Sequence, residues 1–483
     1  MTTPMPDLGM IAILPELVLA LLACLVFVMV PFVPKEKRDL LGYFSIGALV
    51  VSGLLIIPLW GKTVSAFSGM IALDSYALFF KVLFLIIALL VILVSTLYLK
   101  IERVHLGEYY GLVLFATVGM MLMPASTDLL SFYLSLELMS MSFYILAAFM
   151  RKDAKSVEAG MKYFLTGVFT SGLILYGIAF LYGAAGTTNL KAIQAFLSQA
   201  NISGSPTLIL GLILLTAGFA FKIAAVPFHM WAPDVYEGAP TTVTAFLSTG
   251  SKAATLAAML RVFISGLSFS YGTWWQFLWI IAVLTMTVGN VGALLQTNVK
   301  RLLAYSSIAH AGYILIGLIA ASKVGFASIL IYLVAYIFMT IGAFTMIILL
   351  CRFNSRGDQI SDFKGLARTH PAVAAAFVLF ALSLIGIPPT AGFVGKLFLF
   401  NAAIQGGFYW LAVIGILNST ISLYYYFKIV MAMYMEEPQG STPLSFSPPL
   451  TVALGVTAFA TLFIGLYPEP LIRAALHSIQ IFL

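Results

Sequence analysis

Apolar runs of about 20 residues recur from one end of this 483-residue chain to the other, and their recurrence constrains the fold more than any single motif. A helix that crosses the hydrocarbon core of a bilayer needs about 20 mostly apolar residues. Fourteen such runs can be drawn, at 9–33, 40–60, 75–99, 108–124, 126–150, 158–182, 207–231, 240–265, 274–296, 301–322, 325–351, 371–402, 408–435 and 447–472. The expected fold is therefore an all-α polytopic membrane protein with about 14 transmembrane helices. Only 9% of the residues are charged against 61% hydrophobic, too little polar surface for a soluble domain of this size. The longest polar stretches, Tyr182–Pro206 and Arg352–His370, read as loops. Met1 to Met10 lack the basic leader of a cleaved signal, so the first run is expected to stay as a span. Cys24 and Cys351 show no CxxC spacing and indicate neither a disulfide framework nor a metal site.

The net charge of +7 points to nucleic acid only until the charges are placed on this topology. Lys35, Lys37, Arg38, Lys100, Arg103, Arg151, Lys152, Lys155, Lys300, Arg301, Arg352, Arg356, Lys364 and Arg368 fall on one side of the membrane. The opposite loops hold Lys62, Lys191, Arg261, Lys323 and Arg473. Basic residues accumulate in cytoplasmic loops, so the first group is expected inside and both termini outside. The partner implied by the basic balance is a lipid bilayer.

Six lysines remain inside the runs: Lys81, Lys162, Lys222, Lys252, Lys396 and Lys428. Of the acidic residues, Glu137 alone is expected near mid-membrane. Lys81 and Lys428 stand near run ends, where a lysine can snorkel to the interface. Lys252 stands about twelve residues, or about 18 Å, from either end, and no side chain reaches water from there. The same arithmetic applies to Glu137. Ionisable groups in a span are expensive and usually face a bundle interior or a hydrated path. One buried Glu–Lys pair would be a strut, but several ammonium groups against one carboxylate do not pair off. Burial disfavours the charged form of either group and an opposite charge restores it, so such groups change protonation when a neighbour does. That is the behaviour of a proton relay.

The stretch AFKIAAVPFHMWAPDVYEGAP, from Ala220 to Pro240, adds a break. Pro227 lacks an N–H and its ring clashes with the carbonyl of Ile223, so the seventh helix is expected to end just after Lys222. In lipid a broken helix survives where it is buried in protein or lines a hydrated cavity. His229 follows Lys222 by seven residues, about 10 Å along the same face of an unbroken helix, which nominates it for the relay. A second break is expected in SLIGIPPTAGFVGKLFLF, where Pro388 and Pro389 precede Lys396. Interrupted spans at matching places in two halves mark inverted-repeat transporters. The two breaks are five spans apart, an odd offset that reverses the sense of crossing. The expected organisation is three N-terminal helices (1–107), a first five-helix unit (108–265), a second inverted unit (266–435) and a C-terminal helix (436–483). The match is incomplete, because Lys162 in the sixth span has no charged counterpart in the eleventh. The tenth offers His310 instead.

Three segments, VPFHMWAPDVYEGAPTTVTAFLSTGSKAA, NVKRLLAYSSIAHAGYILIG and GIPPTAGFVGK, together resemble the antiporter-like proton-translocating subunits of type I NADH:quinone oxidoreductase. The resemblance covers nearly the whole chain. It implies 14 helices, two inverted five-helix units and broken helices seven and twelve, with the family's charged positions matched by Glu137, Lys162, Lys222, Lys252 and Lys396. A Lys in the twelfth span and the lack of a long extension after span 14 place the chain nearest the subunit-N branch of that family. On that resemblance Glu137 and Lys162 are expected as a charge pair, Lys222 as the central carrier and Lys396 as the exit-side group; His229, Lys252 and His310, ionisable and inside the runs, are expected to pass the proton between them. No Rossmann glycine fingerprint and no iron–sulfur cysteines occur, so no cofactor is expected on this chain. FMN, iron–sulfur clusters and quinone would belong to partner subunits of a membrane arm and an NADH-oxidising peripheral arm, in the cell inner membrane. The fold also serves monovalent cation/proton antiporters and membrane-bound hydrogenases, and fold alone does not settle function. A structural spacer is the third possibility.

Overall fold

A computed structural model of the chain describes residues 9–104, 106–199, 205–352, 357–438, 444 and 446–482. Arg356 and most of the Met1–Met10 segment lie outside the described residues. Among the described residues ten helices are long and apolar enough to cross a membrane. They are Met10–Met29, Lys35–Leu59, Ser75–Ile101, Leu129–Ala147, Ala154–Ala185, Ser268–Leu294, Val299–Ile319, Lys323–Leu350, Tyr409–Met435 and Pro448–Leu466. Four shorter apolar helices accompany them: Glu108–Leu122, Pro206–Lys222, Pro371–Ile385 and Ala391–Gln405. A further helical run from Thr241 passes through π turns at Leu247–Ser251 and Val262–Gly266, with Lys252 at the exit of the first. The molecule is a multi-pass helical membrane protein.

Local chemistry places the helix starts. Asp128 accepts from the Leu130 amide and Asn298 from the Arg301 amide, the N-cap bonds that satisfy orphan donors. Both caps also bridge the chain that follows the next helix, Asp128 to Asn189 and Asn298 to Gln359. Val299–Ile319 and Lys323–Leu350 are buried along almost their whole length and form the axis of the bundle. The outer helices show Leu21, Leu54, Val452 and Phe459 to the surroundings, as expected for a lipid-facing belt. Helices approach most closely at glycine. A Cβ on Gly119 would stand 2.6 Å from the Met139 nitrogen, and one on Gly289 2.6 Å from the Ala309 nitrogen.

Several expectations need correction. Lys81 does not snorkel: it is fully buried, 2.8 Å from Glu16 of the first helix, and also donates to the Ala12 carbonyl. The cause is helix packing, since the Met10–Met29 helix covers that face of Ser75–Ile101. Lys428, by contrast, is half-buried. Arg261 is not in a loop. It is buried in the Lys252 helix and grips both oxygens of Asp74 at 2.9 Å. The Tyr182–Pro206 stretch is more than a loop, for Asn189 caps a short helix, Leu190–Leu197, that buries Leu190, Ile193 and Leu197. An antiparallel hairpin, Val64–Ala66 with Ile71–Leu73, joins the second and third long helices. An amphipathic helix, Glu469–Ser478, follows Pro448–Leu466.

Candidate functional site

The expected breaks occur where proline and glycine demand them. Pro206–Lys222 ends at Lys222, Ala224 takes a left-handed conformation, and helix resumes at Trp231–Gly238. The freed backbone groups find protein partners: the Trp231 indole donates to the Phe221 carbonyl at 3.2 Å, and the Val226 amide to Thr285 at 2.9 Å. The second break follows Ile385, with Gly386 at φ 92° and the Gly392 amide donating to Ser383 at 3.0 Å.

Both breaks hold a buried ammonium group. Lys222 is 4% exposed and donates to Ser140 at 2.8 Å and Tyr144 at 3.4 Å, within the electrostatic reach of Glu137. Lys396 donates to the carbonyls of Leu384 and Ile385 at 3.1 and 2.7 Å, and to Ser419 at 2.8 Å. Those carbonyls end a helix, where the backbone has spare acceptors and the dipole is negative. Between the two lies Lys252, bonded to the carbonyl and hydroxyl of Ser307. Tyr336 donates to the same Ser307 hydroxyl at 2.8 Å. The His310 ring packs on Tyr336 and Tyr313, and its Nδ1 bonds the Tyr332 hydroxyl. Tyr313 continues to Lys396, whose Nζ sits 4.8 Å above its ring. Among the described residues none of Lys222, Lys252 and Lys396 has a carboxylate within ion-pair distance.

A π turn widens the helix and shifts the residues after it. That places Lys252 on Ser307, in the centre of the bundle.

Two expected partnerships are not formed. Glu137 does not pair with Lys162; it accepts from Ser171 at 2.5 Å. The helices run antiparallel with Ala148 against Gly160 and Glu137 against Ser171. Lys162 is therefore nine residues, about 14 Å, from the level of Glu137. It binds Glu158 and Asp234 instead, each at 2.8 Å. Asp234 also takes Arg301 at 2.7 Å, and Glu237 takes Arg301 and Lys155 at 3.2 Å. His229 does not share a face with Lys222, because the helix ends there and the chain turns outward. His229 is half-buried between exposed Pro227 and Met230, and its Nδ1 has no hydrogen-bond partner among the described residues.

Sequence reasoning missed Asp234 and Glu237, although both stand in the Ala220–Pro240 stretch, three residues apart beside the break. It also missed Ser307, Tyr332 and Tyr336. Ser306 and Ser307 interrupt an apolar run near His310, a faint signal; the tyrosines carry none.

The family profile described as "NADH:quinone oxidoreductase/Mrp antiporter, TM" matches residues 126–422. A protein of Trichlorobacter lovleyi named NADH-quinone oxidoreductase subunit N is 45% identical over 470 residues, covering 97% of this chain and 96% of that one. One from Desulforamulus reducens with the same name is 43% identical over 97% of this chain and 98% of its own. A chain in the structure titled respiratory complex I from Thermus thermophilus with bound aureothin has a TM-score of 0.81 at 33% identity, covering 95% of this chain and 98% of that one. A chain of the Mrp complex from Dietzia sp. shares the fold, with a TM-score of 0.84 at 21% identity over 98% of each chain. Likeness at this identity over nearly the full length of both chains, joined to a family profile that spans residues 126–422, decides the matter: the chain belongs to the NADH-quinone oxidoreductase subunit N family.

Proposed function

We propose that this chain is a proton-translocating membrane subunit of NADH:quinone oxidoreductase, coupling NADH-to-quinone electron transfer on partner subunits to proton pumping. FMN, the iron–sulfur clusters and the quinone belong to those partners, in the membrane arm and the NADH-oxidising peripheral arm. The observation that carries the reading is the row of three buried ammonium groups, Lys222, Lys252 and Lys396, each at most 4% exposed and linked by hydroxyl, phenol and imidazole groups. In this relay Lys222 takes a proton, Lys252 and His310 pass it on, and Lys396 delivers it. Glu137 sets the charge felt by Lys222. Tyr144, Tyr163 and Tyr236 carry the line from Lys222 toward Ser307, for Tyr144 packs on Tyr163 at 4.8 Å and both Tyr163 and Tyr236 pack on the Trp231 ring. His229 stands off this line in the present conformation, and Lys162 acts through Asp234.

The reading includes fourteen crossings, two inverted five-helix units at 108–265 and 266–435, flanking segments 1–107 and 436–483, and both termini on the outer side of the cell inner membrane. The paired caps at Asp128 and Asn298, each bridging the segment after the following helix, support the repeat. So do Gly119 and Gly289, each seated on a backbone nitrogen of the following helix.

The test replaces Lys222 with Ala in the assembled complex and compares proton pumping with NADH-linked electron transfer in membranes. Pumping is expected to fall to background; undiminished pumping at normal assembly overturns the carrier role.

A further inference from the structure

The second break holds its lysine in a way the first does not. In an α-helix the N–H of each residue reaches the carbonyl four residues back, and proline has no N–H. Pro388 and Pro389 therefore withhold the donors of Leu384 and Ile385, the last two residues of Pro371–Ile385. The amides of Gly386 and Ile387 both turn back to the Leu382 carbonyl. Lys396 donates to the two carbonyls so freed, at 3.1 and 2.7 Å. Ser419 of the Tyr409–Met435 helix completes the set: its hydroxyl donates to the Ile385 carbonyl and accepts from Lys396, each at 2.8 Å. The face of the Tyr313 ring lies 4.8 Å from the ammonium. A Cβ on Gly386 would stand 2.8 Å from Lys396 Cδ, so glycine there leaves the side chain its way in. At the first break Pro227 likewise withholds a donor from Ile223, but Lys222 turns to Ser140 and Tyr144.

Two backbone carbonyls, a hydroxyl oxygen and an aromatic face make the ligand set of a monovalent cation. Carbonyl oxygens replace the water around potassium. Freed carbonyls at the ends of interrupted helices coordinate transported cations, and a ring face attracts an ammonium. Three oxygens at 2.7 to 3.1 Å from Nζ frame a space for an ammonium-sized ion. Potassium and rubidium are near that size, and lithium is much smaller. We propose that the second break is a monovalent cation site whose occupant is the chain's own Lys396 ammonium, and that residue 396 decides which cation the site holds. The tethered ammonium shuts out a free metal ion and exchanges only its proton. Removing the tether opens the same cage to potassium or to a small amine. Only the pumping arm of the test rests on the proposed function.

The test uses the whole complex carrying Lys396→Ala. Binding of radioactive rubidium, a potassium surrogate, is expected to be saturable and above that of the unaltered complex. Potassium and methylammonium should displace it; lithium and choline should not. Lys396→Met, which fills the space without a charge, should bind none. Adding Ser419→Ala to Lys396→Ala should weaken binding about tenfold, the loss of one oxygen ligand. Binding no greater than in the unaltered complex, equal binding in Lys396→Met, or equal displacement by choline overturns the site. Where Lys396→Ala assembles poorly, its yield should rise in membranes prepared in potassium over lithium, and equal yields overturn the site as well. Proton pumping is measured in the same membranes. Methylammonium should restore part of the pumping lost in Lys396→Ala, and potassium should compete with it. Rubidium binding without rescue by the amine leaves the cation site standing and overturns Lys396 as a proton carrier.

Discussion

At the scale of single residues, the ammonium groups are held by neutral partners and the carboxylate by a hydroxyl. Ser140 and Tyr144 hold Lys222, Ser307 holds Lys252, and helix-end carbonyls hold Lys396. None of these partners fixes a charge in the way a salt bridge would, which is what the proposed relay requires. Glu137 is the acidic neighbour of this row, hydrogen-bonded to Ser171. Glu137→Gln should therefore lower coupled turnover by about tenfold, a barrier change of about 1.4 kcal/mol. Glu137→Asp keeps the charge and should lose much less. Both are read as NADH-driven proton uptake at equal assembly, and equal loss in the two variants counts against an electrostatic role. Lys162 belongs to a different circuit, with Glu158 and Asp234. If it acts through Asp234, the two substitutions share one interaction and do not add. Lys162→Gln with Asp234→Asn should be less damaging than the product of the single losses; multiplicative losses would separate them. Since both side chains are more than a third exposed, thermal stability should hardly move.

At the scale of elements, the two breaks and the π turn turn ordinary apolar helices into site-bearing ones. The break after Ile385 is packed from two sides. Gly392 lies against the Ser383 carbonyl, where an added Cβ would come within 1.8 Å of the oxygen, and Gly465 of the Pro448–Leu466 helix lies against Pro389. Backbone cannot give way there as a side-chain tip can. Gly392→Ala should thus strip most of the assembled complex from blue-native gels. Gly47→Ala, with open space at the Cβ position, should leave assembly intact. Comparable yields from the two variants would show that the second break is less tightly packed than its geometry indicates. The short Trp231–Gly238 helix is secured differently, through Asp234 and Glu237 to Arg301. That ties the first break to the axial helix Val299–Ile319.

At the scale of the molecule, two buried ion pairs among the described residues fasten outlying segments to the core, Glu16 with Lys81 and Asp74 with Arg261. Breaking a buried pair on one side costs about 3–5 kcal/mol because the remaining charge is stranded, whereas apolar replacement of both is often near neutral. Lys81→Met should accordingly lower the apparent Tm of the purified complex by several degrees, and adding Glu16→Leu should restore most of it; no restoration would mean that the pair is not an isolated unit. Much of this protein is legible in its sequence. Apolar runs longer than the bilayer is thick allow little but spanning helices, so class and rough boundaries follow from hydropathy alone. Proline and glycine place both breaks, because a missing N–H acts on its own helix. Lys222, Lys252, His310 and Lys396 stand out because a charge in an apolar run has few other reasons to be there. The partners of those groups are another matter. Antiparallel register sent Lys162 to Asp234 and away from Glu137, the turn after Lys222 carried His229 outward, and packing buried Lys81 against Glu16. Which residues meet depends on how helices distant in sequence are offset along one another. That offset is set by close glycine contacts and side-chain fit, which hydropathy does not encode and only the tertiary structure decides.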